Sequence, residues 1–252
     1  MLRTVFVNFI VFVAFVVNAS AATGTISGHV RLTGTPPANP VVRMGADPVC
    51  AALARATGAL PRQLIVVTDG KGGLANTFVA LQGTFPATSV PSEPVTINQR
   101  VCQYLPRVIG ARVGQTLKIV NQDTTLHNLH SLSAKNAFNV TQPQSGMVFT
   151  FALKAADVMM RLTCDVHSWM HGYIGVVAHP YFAVSGGDGA FTIANVPAGR
   201  HTIRMWHERF GEMTRTVTVT GGRVTNLDAN YDAAAKPKAA RVVSLQVPAP
   251  TE

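Results

Sequence analysis

The stretch Val158 to Val177, VMMRLTCDVHSWMHGYIGVV, decides how this chain is read. Its ends, Val158-Met-Met-Arg-Leu162 and Tyr173-Ile-Gly-Val-Val177, are short apolar runs of strand length. Between them Cys164, His167 and Met170 follow one another at three-residue intervals, so a thiolate, an imidazole and a thioether share one short loop. Such a loop can fold around a single ion.

Soft sulfur ligands combined with imidazole favour copper, and a trigonal His₂Cys set with a long axial Met is the donor arrangement of blue-copper electron-transfer sites. One more histidine is required. His127, just after the polar turn Asn121 to Thr125, can supply it from a separate strand. Zinc also accepts Cys and His but seldom recruits a thioether. The plain alternative makes Cys164 a buried inert thiol and Met170 a filler of core space.

Outward from the loop, short segments rich in Val, Ile, Thr and Phe alternate with turns drawn from 21 Gly and 15 Pro, which predicts an all-β chain. Strands are expected at Gly24–Leu32, Leu64–Val67, Asn76–Leu81, from Val95, at Gln115–Val120, from His127 and at Met147–Leu153. Further ones are expected at 182–184, 191–193, 201–205 and 216–219. Leu64–Val67 and Asn76–Leu81 read as a hairpin closed by Asp69-Gly-Lys-Gly-Gly73. Residues 47–60 are Ala-rich and read as a short helix. Strands at this spacing imply a sandwich or a barrel.

The first residues read as a signal peptide. Arg3 precedes the apolar run Val5–Val17, too short to span a bilayer comfortably, and Ala19-Ser-Ala21 offers a cleavage site after Ala21. An uncleaved anchor is the alternative, and either places the folded part outside the cytoplasm, periplasmic or secreted. In that oxidising setting three cysteines cannot all pair. Cys50 and Cys102 have no ligand-type neighbours at short spacing and are expected to form a disulfide, which leaves Cys164 free for a metal. Loss of Arg3 lowers the formal charge from +9 to +8. The Lys and Arg residues form no run with interleaved aromatics, so nucleic acid is not expected, and an acidic redox partner or the anionic envelope fits better.

With these residues in view, Cys164-x₂-His167-x₂-Met170 resembles the shortest copper loop of the cupredoxins, that of the amicyanin and pseudoazurin type. Gly114-Gln-Thr-Leu-Lys-Ile-Val-Asn-Gln-Asp123 followed by His127-Asn-Leu-His130 is similar to the segment of that family whose first histidine binds the metal. The resemblance covers residues 94–178. It implies a Greek-key β-sandwich, copper bound by His127, Cys164, His167 and Met170, and Asn128 hydrogen-bonding across to the ligand loop. It also implies that electrons pass through an exposed edge of His167. A binuclear centre would need a second cysteine where Met160 stands, and multicopper oxidases need His-x-His pairs that are lacking. One copper ion, no small-molecule substrate and no enzymatic activity are therefore expected. Two departures stand out: Asp165 beside the thiolate would favour the oxidised ion, and Trp169 could pack on the imidazole.

The flanking segments carry a second resemblance. Gly24-Thr-Ile-Ser-Gly-His-Val30, with Ser185–Ile193 and Val196–Ile203, is similar to the opening and close of a carboxypeptidase regulatory-like domain, a small transthyretin-like β-sandwich. This implies a signal peptide at 1–21, sandwich halves at 22–93 and 181–231, a cupredoxin inserted at 94–180, and a flexible tail at 232–252. A long cupredoxin over 24–180 followed by a partial sandwich is the alternative. Regulatory-like domains resemble starch-binding folds, so an envelope module binding glycan or protein stays open, with Trp206 and Tyr231 as its candidate aromatics. His130 and His171 flank the ligands, and His29, His179 and His201 have no partner pattern. The role of Trp206-His207-Glu208 is left open.

Overall fold

The computed structural model describes residues 22–45, 47–58 and 61–235, so the expected signal peptide and most of the expected tail lie outside the described residues. Among the described residues the chain is all-β apart from one short helix, with four sheets that pack through three apolar cores.

The first sheet centres on β1 (Thr23–Thr33), antiparallel to β13 (Ala190–Pro197) and parallel to β16 (Val224–Asn226) and β17 (Ala229–Asp232). Ile26, Val30 and Leu32 alternate inward along β1, as period-two patterning requires. The second sheet runs β12 (Phe182–Val184), β2 (Phe78–Gln82), β14 (Gly199–His207), β15 (Gly211–Val219). Strands from both ends of the chain thus share these two sheets.

The intervening residues build two more. One runs β5 (Val108–Arg112), β11 (His171–Val177), β10 (Asp157–Thr163), β7 (His127–Ser131), β8 (Asn139–Gln142). The other runs β4 (Gln103–Leu105), β3 (Val95–Arg100), β6 (Thr116–Asn121), β9 (Val148–Ala152). Leu117 and Ile119 of β6 meet Leu129, Leu162, Ile174 and Val176 in the core between them. This sandwich carries the candidate ligands.

β2 is apolar from Phe78 to Leu81 because those four residues are buried, on both faces of the strand. Val79 and Leu81 face the first sheet, while Phe78 and Ala80 meet Val108 and Val177 of the ligand-bearing sandwich. That contact needs glycine. A Cβ on Gly175 would lie 2.4 Å from the Phe78 ring, and one on Gly110 would lie 2.4 Å from Phe182, so both must lack a side chain for the sheets to close.

The expected hairpin between Leu64–Val67 and Asn76–Leu81 is reduced to one antiparallel bridge, Thr68 to Leu74, with Ala75 N donating to Val67 O at 2.9 Å, because β2 pairs with β12 and β14 instead. The Asn39 side chain accepts from Val66 N at 2.8 Å and donates to Val66 O at 2.7 Å, taking the place of a neighbouring strand. Asp69 closes its own loop by accepting from Lys71 N and Gly73 N. β4, β5, β8, β16 and β17 were not anticipated, and the expected helix is α1 (Pro48–Ala56). Asp47 caps it through Val49 N and Cys50 N, with Pro48 in the first turn where a missing N–H costs little.

Candidate metal centre

His127 opens β7, and Cys164 directly follows β10. The turn before His127 is organised by Asn121, whose side chain donates to Thr125 O and Gln142 O, each at 2.9 Å, and accepts from Asp123 N. The loop after β10 folds back on itself: Cys164 N donates to Met170 O at 3.2 Å and Met170 N to His167 O at 2.9 Å. These two short-range structures bring the sequence-expected residues together.

Nδ1 of His127 and Nδ1 of His167 lie 3.1 Å apart, with Cys164 Sγ 3.8 Å from the latter. Together the three residues offer donor atoms that all lie within 4.8 Å of one another. All three are buried, and Met170, 1 % exposed, belongs to the same apolar core as Cys164. Two nitrogens each ~2.0 Å from one ion at a tetrahedral angle would be separated by roughly 3.3 Å, so the spacing fits a single ion of ordinary ligand distance.

The outer edges of both imidazoles are held by carboxylates. His127 Nε2 is 2.9 Å from Asp123 Oδ2, and His167 Nε2 is 3.0 Å from Asp47 Oδ2. Neutral imidazoles donating to these carboxylates turn two Nδ1 lone pairs toward each other across 3.1 Å. Only an electropositive centre between them, a proton or a metal ion, satisfies both.

Electrostatics agree. Burial pushes the Cys164 thiol up, but hydrogen bonding with His127 and with the backbone N–H groups of Asn128, His167 and Val166 outweighs it and lowers its pKa. Burial pushes His127 down, and Asp123 together with Cys164 reverses this to a raised pKa. Asp123 would be raised by burial, yet it lies below the usual carboxylate range because His127, Cys102 N and Val101 N donate to it. Asp47 is depressed for the same kind of reason: burial raises it, but donors on Cys50 N, His167, Thr125 and Val49 N prevail.

Asn128 bonds to the start of the ligand loop. Its Oδ1 accepts from Asp165 N at 3.0 Å, its backbone N–H points at Cys164 Sγ from 3.4 Å, and its carbonyl accepts from the Tyr104 hydroxyl at 2.5 Å. Trp169 packs on His167 with ring centroids 5.0 Å apart and donates from Nε1 to Cys102 O. Asp165 points outward, bonded to His130 and Asn139. Neither His130 nor His171 joins the donor cluster, and Arg161 approaches His171 Nδ1 instead.

The expected disulfide is present between Cys50 and Cys102. It lies against the site: Cys50 Sγ is 3.6 Å from His167 Nε2. Val101 and Cys102 form the two-residue turn between β3 and β4 in left-handed conformations, φ 51° and 52°. Branched Val101 disfavours that region, and Asp123 holds it there by accepting from both N–H groups.

One expectation is overturned. The edge of His167 is not an exposed port but only 2 % exposed, because α1, Asp47 and the disulfide lie across it. Asp47 stands 120 residues before His167, and no local pattern marks it. Asp123, four residues before His127, was within sight of sequence reasoning as a carboxylate beside a ligand.

A PEGA domain model matches residues 185–233, in the C-terminal stretch expected to close the regulatory-like sandwich, and that expectation itself finds no support in the comparisons. No curated protein matches the chain. Among solved structures it is similar to a copper-containing nitrite reductase from Thermus scotoductus SA-01, at 20 % identity, TM-score 0.30, over 37 % of this chain and 24 % of the reductase. The chain therefore spans about a quarter of that protein's length. It is also similar to an amicyanin mutant in its Cu(I) form, at 17 % identity, TM-score 0.30, over 39 % of this chain and 97 % of the other. A purple cupredoxin from Nitrosopumilus maritimus aligns at 25 % identity, TM-score 0.26, over 29 % and 80 %. None of these superpositions reaches a TM-score of 0.5, so the case for the site rests on this chain's own strands and donor atoms.

Proposed function

We propose that this is an exported mononuclear copper protein of the cupredoxin type that carries electrons and is not an enzyme. The observation that carries the reading is the buried trio of His127 Nδ1, His167 Nδ1 and Cys164 Sγ, with both imidazoles held from behind by carboxylates. His127, Cys164, His167 and Met170 would hold the ion, and this set of imidazole and soft sulfur donors suits copper. A bound copper ion would supply a one-electron couple. The protein's part is to hold the donors in one geometry through Asn128, Asp123 and Asp47, so that little has to move when the charge changes.

Export is supported by the N-terminal apolar run and by the disulfide, which persists in oxidising compartments. The net basic charge favours an acidic redox partner or the anionic envelope. The deciding experiment is a titration of the mature protein with cupric ion, followed in the visible, beside Cys164→Ser. An intense thiolate-to-copper band at one-to-one stoichiometry, lost in the variant, is expected. A colourless wild-type protein would overturn the reading and leave the glycan- or protein-binding envelope module to be tested.

A further inference from the structure

Building on the copper reading, we infer that Asp47 is the positioning residue that sets the tautomer of His167 and keeps its Nδ1 free to bind the metal. Its two carboxylate oxygens have separate tasks. Oδ1 accepts from Val49 N at 2.8 Å and Cys50 N at 2.9 Å and so caps α1. Oδ2 accepts from His167 Nε2 at 3.0 Å and from the Thr125 hydroxyl at 3.1 Å. Thr125 belongs to the turn that delivers His127, so one carboxylate ties both ligand-bearing segments to the same helix end.

That helix end is itself fixed. Cys50 is bonded to Cys102, whose backbone N–H donates to Asp123, and Asp123 holds His127. A ring of contacts therefore runs from His167 through Asp47, Cys50, Cys102 and Asp123 to His127, placing a carboxylate on the outer nitrogen of each ligand imidazole. A neutral imidazole that donates from Nε2 must present a bare Nδ1 to the centre. Carboxylate backing also raises its basicity as a ligand.

Asp47→Asn separates capping from positioning. Asn is as good a cap as Asp, and its single amide oxygen stays with the two backbone N–H groups rather than with one imidazole. The amide NH₂ then faces His167 Nε2, donor against donor. The imidazole responds by accepting at Nε2 and carrying its proton on Nδ1, where it blocks the metal. Asp47→Ser keeps a cap but withdraws the contact without reversing it.

The test reads the His167 tautomer by long-range ¹H–¹⁵N NMR in the metal-free protein, and Cu(II) affinity by competition titration. Wild type is expected to show the Nε2–H tautomer. Asp47→Asn should show Nδ1–H and bind Cu(II) about 10–100-fold more weakly, with Asp47→Ser between the two. An Nδ1–H tautomer in the metal-free wild type, or unchanged affinity in Asp47→Asn, would overturn the inference while leaving the copper site standing. Absence of a thiolate-to-copper band in wild type would instead remove the copper reading, and the tautomer would still decide whether Asp47 orients the ring. If Asp47→Asn fails to fold, the wild-type tautomer and the Cu(II) affinity of Asp47→Ser decide between the same two outcomes.

Discussion

Arg107 and Glu208 form a two-pronged ion pair across the seam between the ligand-bearing sandwich and the sheet that contains β14. Arg107 Nε is 2.6 Å from Glu208 Oε2, and Nη2 is 2.8 Å from Oε1. The side chains are 6 % and 14 % exposed, and the Tyr173 hydroxyl donates to Glu208 as well. The cluster Trp206-His207-Glu208 therefore has a structural task. Removing one partner of a buried pair leaves the other charge without compensation.

Glu208→Ala should destabilise the protein by about 3–5 kcal/mol, and Arg107→Met combined with Glu208→Leu should recover most of it. Chemical denaturation of wild type and both variants checks this. A loss below about 1 kcal/mol in Glu208→Ala would mean the pair is solvated and worth no more than a surface bridge.

Asn128→Ala should weaken Cu(II) binding by about 10–100-fold. The variant strands Asp165 N, which now has the Asn128 amide oxygen at 3.0 Å, and frees the start of the ligand loop. Competition titration gives the affinity. Wild-type binding with an unchanged visible band would show that Tyr104 and the turn from His167 to Met170 hold the loop without it.

His207 should make the protein acid-sensitive. Burial pushes its pKa down to about 4, against an opposing effect of Glu208 and a small one from Arg107 in the same direction as burial. Its Nδ1 accepts from Arg209 N, and its Nε2 has no hydrogen-bond partner among the described residues. The folded state thus binds fewer protons than the unfolded state between the ordinary value of 6.5 and about 4, so stability is full above 6.5 and lost as pH falls through that window. The loss amounts to about 3 kcal/mol in all. Urea midpoints at neutral and mildly acid pH should converge in His207→Phe. An equal acid loss in wild type and variant would assign it to other groups.

The strands that could be read in advance were those with a strong local period. β1, β6, β9, β10 and β11 alternate or run apolar over several residues, so their burial is written in neighbouring side chains. β4 (QYL), β8 (NVTQ) and β16 (VTN) are too short and polar to leave a period. Leu64–Val67 shows the converse failure: the run has strand composition, yet Asn39 satisfies the backbone of Val66 from outside any sheet.

The sequence by itself determined which donors are present and in what order, because Cys164, His167 and Met170 lie in one loop whose strands flank it directly. It also limited the pairing of the cysteines, since three thiols leave one over however they pair. Only the tertiary structure decided what covers the site. Asp47 reaches His167 across 120 residues, and β1 reaches β13 and β17 from the opposite end of the chain. Contacts at such separations depend on how whole sheets stack and on where glycines such as Gly175 let them close, and that information is spread over many residues rather than held in any local pattern. Burial of His167 is the consequence: its identity as a ligand candidate is local, and its enclosure is global.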